Sequence, residues 1–303
     1  MTISTTATGE YAGASGQAIQ HHYDVGNEFW GHWLDSSLTY SCAMWAEGDT
    51  LDAAQRRKVD WLIDNARAAS AGRVLDVGCG WGSFLRRAVE RGAKHAVGIT
   101  LSPKQAEWIN GLGDPRLEVH VTGWADYSPD QPFDAIVSVG AFEHFARLGL
   151  TREEKVESYR DFVARCHEWL RPGGWMVLQT IAKGDTALDG QGLRDFAYIV
   201  TKMFPESDLP HPADVFAAME GRFEVVQMRN DRWMYARTCQ AWLERLDANR
   251  EPAVAAVGEE IVDLYRRYLA ACIRQFDRGH AGLTRYVLRR VEQREPFRFG
   301  GAG

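Results

Sequence analysis

Between residues 73 and 181, short apolar runs alternate with segments of helical spacing, and no other feature narrows the fold as much. "RVLDVG" (73–78), "HAVGIT" (95–100), "LEVHVT" (117–122), "FDAIVSV" (133–139) and "WMVLQTI" (175–181) read as strands, being short, apolar and bounded by turn residues. "WGSFLRRAVERG" (81–92) has helical spacing and stops at Gly92. "SPKQAEWINGLG" (102–113) starts with Ser102 as N-cap and Pro103 at the first helical position, a strong start signal. A charged helix from about 151 to 170 ends at "RPGG". Strands separated by helices imply a mostly parallel α/β sheet, Rossmann-like, with helices on both faces. Ligands of such sheets bind at the carboxyl ends of the strands.

The flanks differ from this centre. Residues 1–17 read as a disordered tail, with neither the apolar run nor the basic start of a signal peptide. Residues 18–70 form an N-terminal helical cap, with a helix over about 50–69 carrying Leu51, Val59, Leu62, Ile63 and Ala66 at apolar spacing. Residues 71–183 are the core, and 184–222 are irregular with helical pieces, an inserted lid. Residues 223–303 complete the sheet and an acceptor pocket: "FEVVQMRN" (223–230) is a strand, 253–277 a long helix, and 283–290 a last edge strand or hairpin partner.

Composition sets bounds on partners. The 303 residues carry a net charge of −6, which argues against nucleic acid, whose phosphates call for clustered Lys and Arg. Local contact with a membrane surface or an acyl carrier stays open, as does the oligomeric state. The five cysteines are widely spaced and form no CxxC, so a reducing compartment, the cytoplasm, is expected rather than a disulfide framework or zinc site. No stretch of 18 apolar residues occurs.

"VLDVGCGWG" (74–82) is the most specific single stretch. An apolar strand carries Asp76 near its end, and glycines follow at 78, 80 and 82 before a helix. A dinucleotide fingerprint reads G-x-G-x-x-G; this loop reads G-x-G-x-G. It resembles class I S-adenosylmethionine (AdoMet) methyltransferases, in which the loop holds the methionine end. The acid expected at the end of the second strand, for ribose hydroxyls, is missing, and Thr100 stands in its place in "GITLSPKQ".

Further stretches tighten the likeness: "HYDVGNEFW" (22–30), "LTYSCAMW" (38–45), "TGWADY" (122–127), "SVGAFEHF" (138–145), "MFPESDLP" (203–210), "YARTCQAW" (235–242) and "YLAACIRQF" (268–276). With these the chain resembles the cyclopropane fatty acid synthases, and most of all the mycolic acid cyclopropane synthase branch. The resemblance implies AdoMet contacts at Tyr40, Ser41, Asp76, Gly78, Gly80, Thr100, Leu101, Gln105, Trp124 and Val139. Taken alone, Trp124 reads as core packing. In the family a Glu commonly follows this Trp; here Ala125 does, with Asp126 next. Either Asp126 takes over the adenine contact or adenine is held less polarly.

The chemistry implied is methyl transfer to an alkene carbon of a lipophilic acceptor, an unsaturated acyl chain or an isoprenoid. The acceptor becomes a carbocation and loses a proton, giving a cyclopropane or a methyl-branched alkene. Aromatic faces stabilise cations, and Tyr23, Phe142, Phe145, Phe204, Tyr235 and Tyr268 are the candidate rings, with Cys272 beside them in the acceptor wall. In "VGAFEHF" (139–145) Glu143 and His144 sit together between Phe142 and Phe145. The family holds a bicarbonate ion as base; the matching ligands are Cys42, Gly140, Glu143 and Tyr235. A histidine completes that set in the family, and this chain has Gln179 there. Gln cannot carry a proton near neutral pH. Either bicarbonate binds through the other groups, or Glu143, or a water it orients, removes the proton, its pKa raised by burial. The plainer reading of Glu143 and His144 is structural, as caps that knit the lid to the sheet. No metal is expected; Mg²⁺ would enter only with a diphosphate acceptor. The rival activity on the same frame is N-methylation of a small amine.

Overall fold

The computed structural model describes residues 13 and 25–292. Tyr23, His21 and His22 lie outside the described residues, as does nearly all of the 1–17 tail. Helix α1 (Asn27–Gly31) and helix α2 (Leu51–Asn65) precede the first strand. The centre then runs β1 (Arg73–Val77), α3 (Ser83–Glu90), β2 (His95–Thr100), α4 (Pro103–Asn110), β3 (Leu117–Val121) and β4 (Phe133–Val139). A 3₁₀ turn (Phe142–His144) leads to α5 (Arg152–Trp169) and β5 (Leu170–Lys183). Helices α6 (Gly190–Lys202) and α7 (Pro212–Met219) precede β6 (Phe223–Asn230). Helices α8 (Arg232–Ala248), α9 (Arg250–Val257) and α10 (Glu259–Asp277) separate it from β7 (Ala281–Arg290).

Local chemistry sets the helix starts. The Thr50 side chain accepts the Ala53 N–H at the head of α2, Ser102 accepts Gln105 N–H before Pro103, and Thr151 with Glu154 forms a capping box on α5.

The seven strands lie in the order β3-β2-β1-β4-β5-β7-β6. Strands β1 to β5 pair in parallel, and β7 runs antiparallel to both neighbours. This is the class I methyltransferase sheet. Two expectations are corrected. Of the two readings of the last strand, edge strand or hairpin partner, the first fails: β7 inserts between β5 and β6, antiparallel to both, and β6 is the edge. The helix expected over 253–277 is two helices, broken at Gly258, whose φ of +86° suits glycine. Helix α8 was not anticipated.

Alternation along the strands divides the apolar residues between two faces. Leu75, Val77, Val97 and Ile99 pack with Tyr159 and Phe162 of α5. Val74, Ala96, Val137 and Val177 pack with Leu62 and Ile63 of α2 and Phe84 and Leu85 of α3. A third cluster joins Trp30 and Trp33 to Trp242, Tyr265, Leu269 and Phe276, and fixes the N-terminal segment onto α8 and α10.

Candidate active site

A cavity opens at the carboxyl ends of β1, β2 and β4. All ten residues expected at the cofactor line it: Tyr40, Ser41, Asp76, Gly78, Gly80, Thr100, Leu101, Gln105, Trp124 and Val139. The glycine loop turns sharply after β1, where the N–H groups of Gly78 and Cys79 both donate to Ile99 O, at 3.0 and 3.1 Å. Gly78 has φ +82°, and a Cβ there would come within 2.7 Å of Ala141 Cβ, so no larger residue fits this close approach. Thr100 Oγ1 donates to Gln105 Oε1 at 2.6 Å and accepts the Ser102 N–H. The residue standing where an acid was expected is therefore tied to the next helix.

Asp76 is buried, and its Oδ1 has no hydrogen-bond partner. Burial pushes its carboxyl up to about 7, against the opposing pull of Lys58. Trp124 shows the cavity one side and packs the other against Phe145 and Phe162, with ring centroids 5.5 and 5.6 Å away; it serves the core and the wall at once. Asp126 is exposed and outside the cavity lining.

Glu143 lies in the 3₁₀ turn after β4, buried, with Oε1 accepting the Ile181 N–H at 2.6 Å. Its Oε2 has no partner. Burial raises its pKa to about 7, opposed by the backbone hydrogen bond from Ile181. His144 lines the cavity, pairs through Nδ1 with Ser207 Oγ at 2.6 Å, and lies 5.7 Å from the Phe204 ring. Desolvation drives its pKa down to about 4, so the ring is neutral at pH 7. The Ile181 and Ser207 contacts are of the knitting kind; the free Oε2 is not.

The two phenylalanines do not enclose this pair. A 3₁₀ turn repeats every three residues, so Phe142 and Phe145 share a side and face α5. Phe142 is fully buried, stacked on Tyr159 at 4.5 Å, and does not line the cavity; Phe145 does.

Cys42 and Gln179 meet through a residue that was not anticipated. Arg285 of β7 is completely buried. Its Nε donates to Gln179 Oε1 at 2.8 Å, Nη1 to Asp231, and Nη2 to the carbonyls of Cys42 and Ala43 at 3.1 and 3.3 Å. A guanidinium only donates, so the Gln179 oxygen must face it and the amide N–H₂ faces away. Gln179 is thus a fixed donor backed by a permanent cation. Burial raises the Cys42 thiol to about 11, with Arg285 opposing.

Tyr235, Phe204, Tyr268 and Cys272 belong to the third apolar cluster, outside the cavity lining. Tyr235 stacks on Phe276 at 4.5 Å, and Tyr40 donates its hydroxyl proton to the Tyr268 hydroxyl at 3.1 Å, linking cofactor wall and cluster. Desolvation raises both the Tyr235 and Tyr268 phenols well above their ordinary range. Lys58 and Gln55, both buried on α2, were also missed. The signal was a Lys and a Gln among the apolar positions of an amphipathic helix.

The sequence profile described as mycolic acid cyclopropane synthetase matches residues 13–286. Cyclopropane mycolic acid synthase 2 of Mycobacterium leprae is 34% identical over 291 residues, covering 90% of this chain and 93% of that protein. Cyclopropane mycolic acid synthase 3 of Mycobacterium tuberculosis is 33% identical over 287 residues, covering 89% and 96%. The cyclopropane synthase MmaA2 of Mycobacterium tuberculosis superposes with a TM-score of 0.83 at 30% identity, covering 91% of this chain and 99% of that one. Mycolic acid cyclopropane synthase CmaA1 complexed with SAH and CTAB gives a TM-score of 0.83 at 31% identity, with the same coverage.

Proposed function

The chain belongs to the mycolic acid cyclopropane synthetase family, and we propose on that premise that it methylates an alkene carbon of a lipophilic acceptor. It is an AdoMet-dependent methyltransferase of the cyclopropane-synthase type. The residues present suit the cofactor: an unpartnered Asp76 oxygen for an ammonium, a glycine turn that a Cβ would obstruct, and hydroxyl and amide groups at Tyr40, Ser41, Thr100 and Gln105. When bound, AdoMet supplies an electrophilic methyl on a sulfonium.

The protein's own residues then have three tasks. The strap carrying Tyr40 and Ser41, with Trp124 and the glycine loop, encloses the cofactor. Phe145, and by motif position Tyr235, Phe204 and Tyr268, present ring faces that lower the energy of a carbocation. Glu143 takes the proton. The observation that carries this reading is a buried carboxyl raised to about 7 with one oxygen unpartnered, next in sequence to a cavity-lining histidine. A base poised near the working pH is what deprotonation calls for. Gln179, held as a donor by Arg285, does not compete for that role. It remains suited to a small anion such as bicarbonate. Mg²⁺ has a part only with a diphosphate acceptor.

The test is transfer of labelled methyl from AdoMet to unsaturated phospholipid vesicles, acyl-carrier thioesters, isoprenyl diphosphates and small amines, with product masses. A mass gain of one CH₂ on an alkene-bearing acceptor is the expected result. Transfer to amines alone would replace the reading with N-methylation.

A further inference from the structure

The geometry points to Lys58 as a positioning residue for the amino-acid end of the cofactor, acting through Ser41. Helix α2 turns two buried polar side chains toward the strap at residues 38–45. Gln55 Nε2 donates to the carbonyls of Thr39 and Ser41, at 3.2 and 2.8 Å. One turn on, Lys58 Nζ donates to Ser41 Oγ at 2.9 Å. Both Lys58 and Ser41 line the cofactor cavity.

An ammonium has no lone pair and can only donate. Ser41 Oγ is therefore the acceptor in that bond, and its own proton is free to turn into the cavity. With its carbonyl already taken by Gln55, Ser41 offers the cavity a hydroxyl donor with a buried cation behind it. Such a donor fits an anion. Asp76, on the same cavity, offers an unpartnered carboxylate oxygen, which fits a cation. An α-amino acid zwitterion needs one of each. The carboxylate goes to Ser41 under the field of Lys58, and the ammonium to Asp76. Charge-assisted hydrogen bonds of this kind are the strong ones.

Calorimetric titration of the purified protein with three ligands tests this without turnover, and so independently of the acceptor. S-adenosylhomocysteine carries both charges of the amino acid. Its decarboxylated analogue, S-adenosyl-3-thiopropylamine, keeps only the amine, and 5′-methylthioadenosine has neither. Lys58→Met should weaken S-adenosylhomocysteine by about tenfold or more while leaving the other two within about threefold. Ser41→Ala should do the same, and the double variant should be no weaker than the worse single one, since both act on one contact. Replacing a buried ammonium by a side chain of similar length removes a desolvation cost, so folding stands; unchanged 5′-methylthioadenosine binding verifies it. The inference is overturned if Lys58→Met leaves S-adenosylhomocysteine within about threefold, weakens all three ligands alike, or adds fully to Ser41→Ala.

Discussion

A carboxyl group that must take a proton near neutral pH has to be ionised before the reaction and hold the proton afterwards. Glu143 meets both demands at about 7, because burial raises it and the Ile181 N–H holds it back from rising further. Glu143→Gln should lower turnover by about a hundredfold or more, with S-adenosylhomocysteine affinity within a few-fold; surviving turnover would make Glu143 structural. In the wild type kcat/KM should climb with pH through about 7, and that limb should vanish in the variant. Stability moves the other way. The folded pKa lies above the ordinary 4.5, so the fold favours the protonated acid. That contribution is complete below about 4.5 and is lost as pH rises through about 7. Denaturant titrations at several pH values should show the wild type losing up to about 3 kcal/mol relative to Glu143→Gln over this window. Gln179→His supplies the imidazole that completes the family's bicarbonate set, a group that can carry a proton where Gln cannot. The variant should gain a dependence on added bicarbonate; activity indifferent to bicarbonate in both proteins would show that no carbonate site operates. Part of the cavity was legible: the glycine loop and Asp76, at the end of an apolar strand, announce their place in its wall by residue type and neighbours. The direction of Phe142 did not, because its place beside Glu143 and His144 in sequence does not show that a three-residue turn puts it on the same side as Phe145, against α5. Arg285 was hidden because a charge within a strand that also carries Arg289 and Arg290 does not reveal its partners on other elements.

Elements show a different boundary of legibility. The strands from 73 to 139 were found, with the Ser102 cap of α4, since short apolar runs, glycine exits and a Ser-Pro start are local signals. Helices α9 and α10 were read as one because Ala253, Val254, Val257, Ile261 and Val262 keep their spacing across the junction. The break depends on one backbone angle. Gly258 sits at φ +86° and ψ 158°, a region almost reserved for glycine, and a Cβ there would meet nothing within 4 Å. Gly258→Ala should therefore destabilise by about 1–3 kcal/mol through backbone strain alone, read from the denaturant midpoint. A change below about 0.5 kcal/mol would mean that the two helices re-form as one without cost. The place of β7 between β5 and β6 is a long-range pairing with no local signal at all. It carries Arg285 to the strap, where the guanidinium donates to the Cys42 carbonyl.

At the scale of the whole molecule, the cavity is assembled from segments near residues 40, 60, 80, 100, 124 and 140. No part of the chain holds it alone. The strap comes from before the sheet, and is fixed by α2, by Arg285 of β7, and by Thr238 of α8, whose Oγ1 accepts the Ala43 backbone N–H and the Trp45 indole N–H at 3.1 and 3.0 Å. A ligand that touches the strap, the glycine loop and the ends of β2 and β4 binds only the folded protein, so it must raise stability by mass action. S-adenosylhomocysteine at a hundred times its Kd should add about 2.7 kcal/mol, and thus several degrees to Tm at about 2–4 °C per kcal/mol. Gly78→Ala separates binding from folding. The new methyl would lie 2.7 Å from Ala141 Cβ, at a φ of +82°. It strains the loop where the ligand must come closest. The variant should melt lower than the wild type and show little or no rise with the ligand. An undiminished rise in Gly78→Ala would place the cofactor away from this loop, and with it the orientation of every group around the cavity.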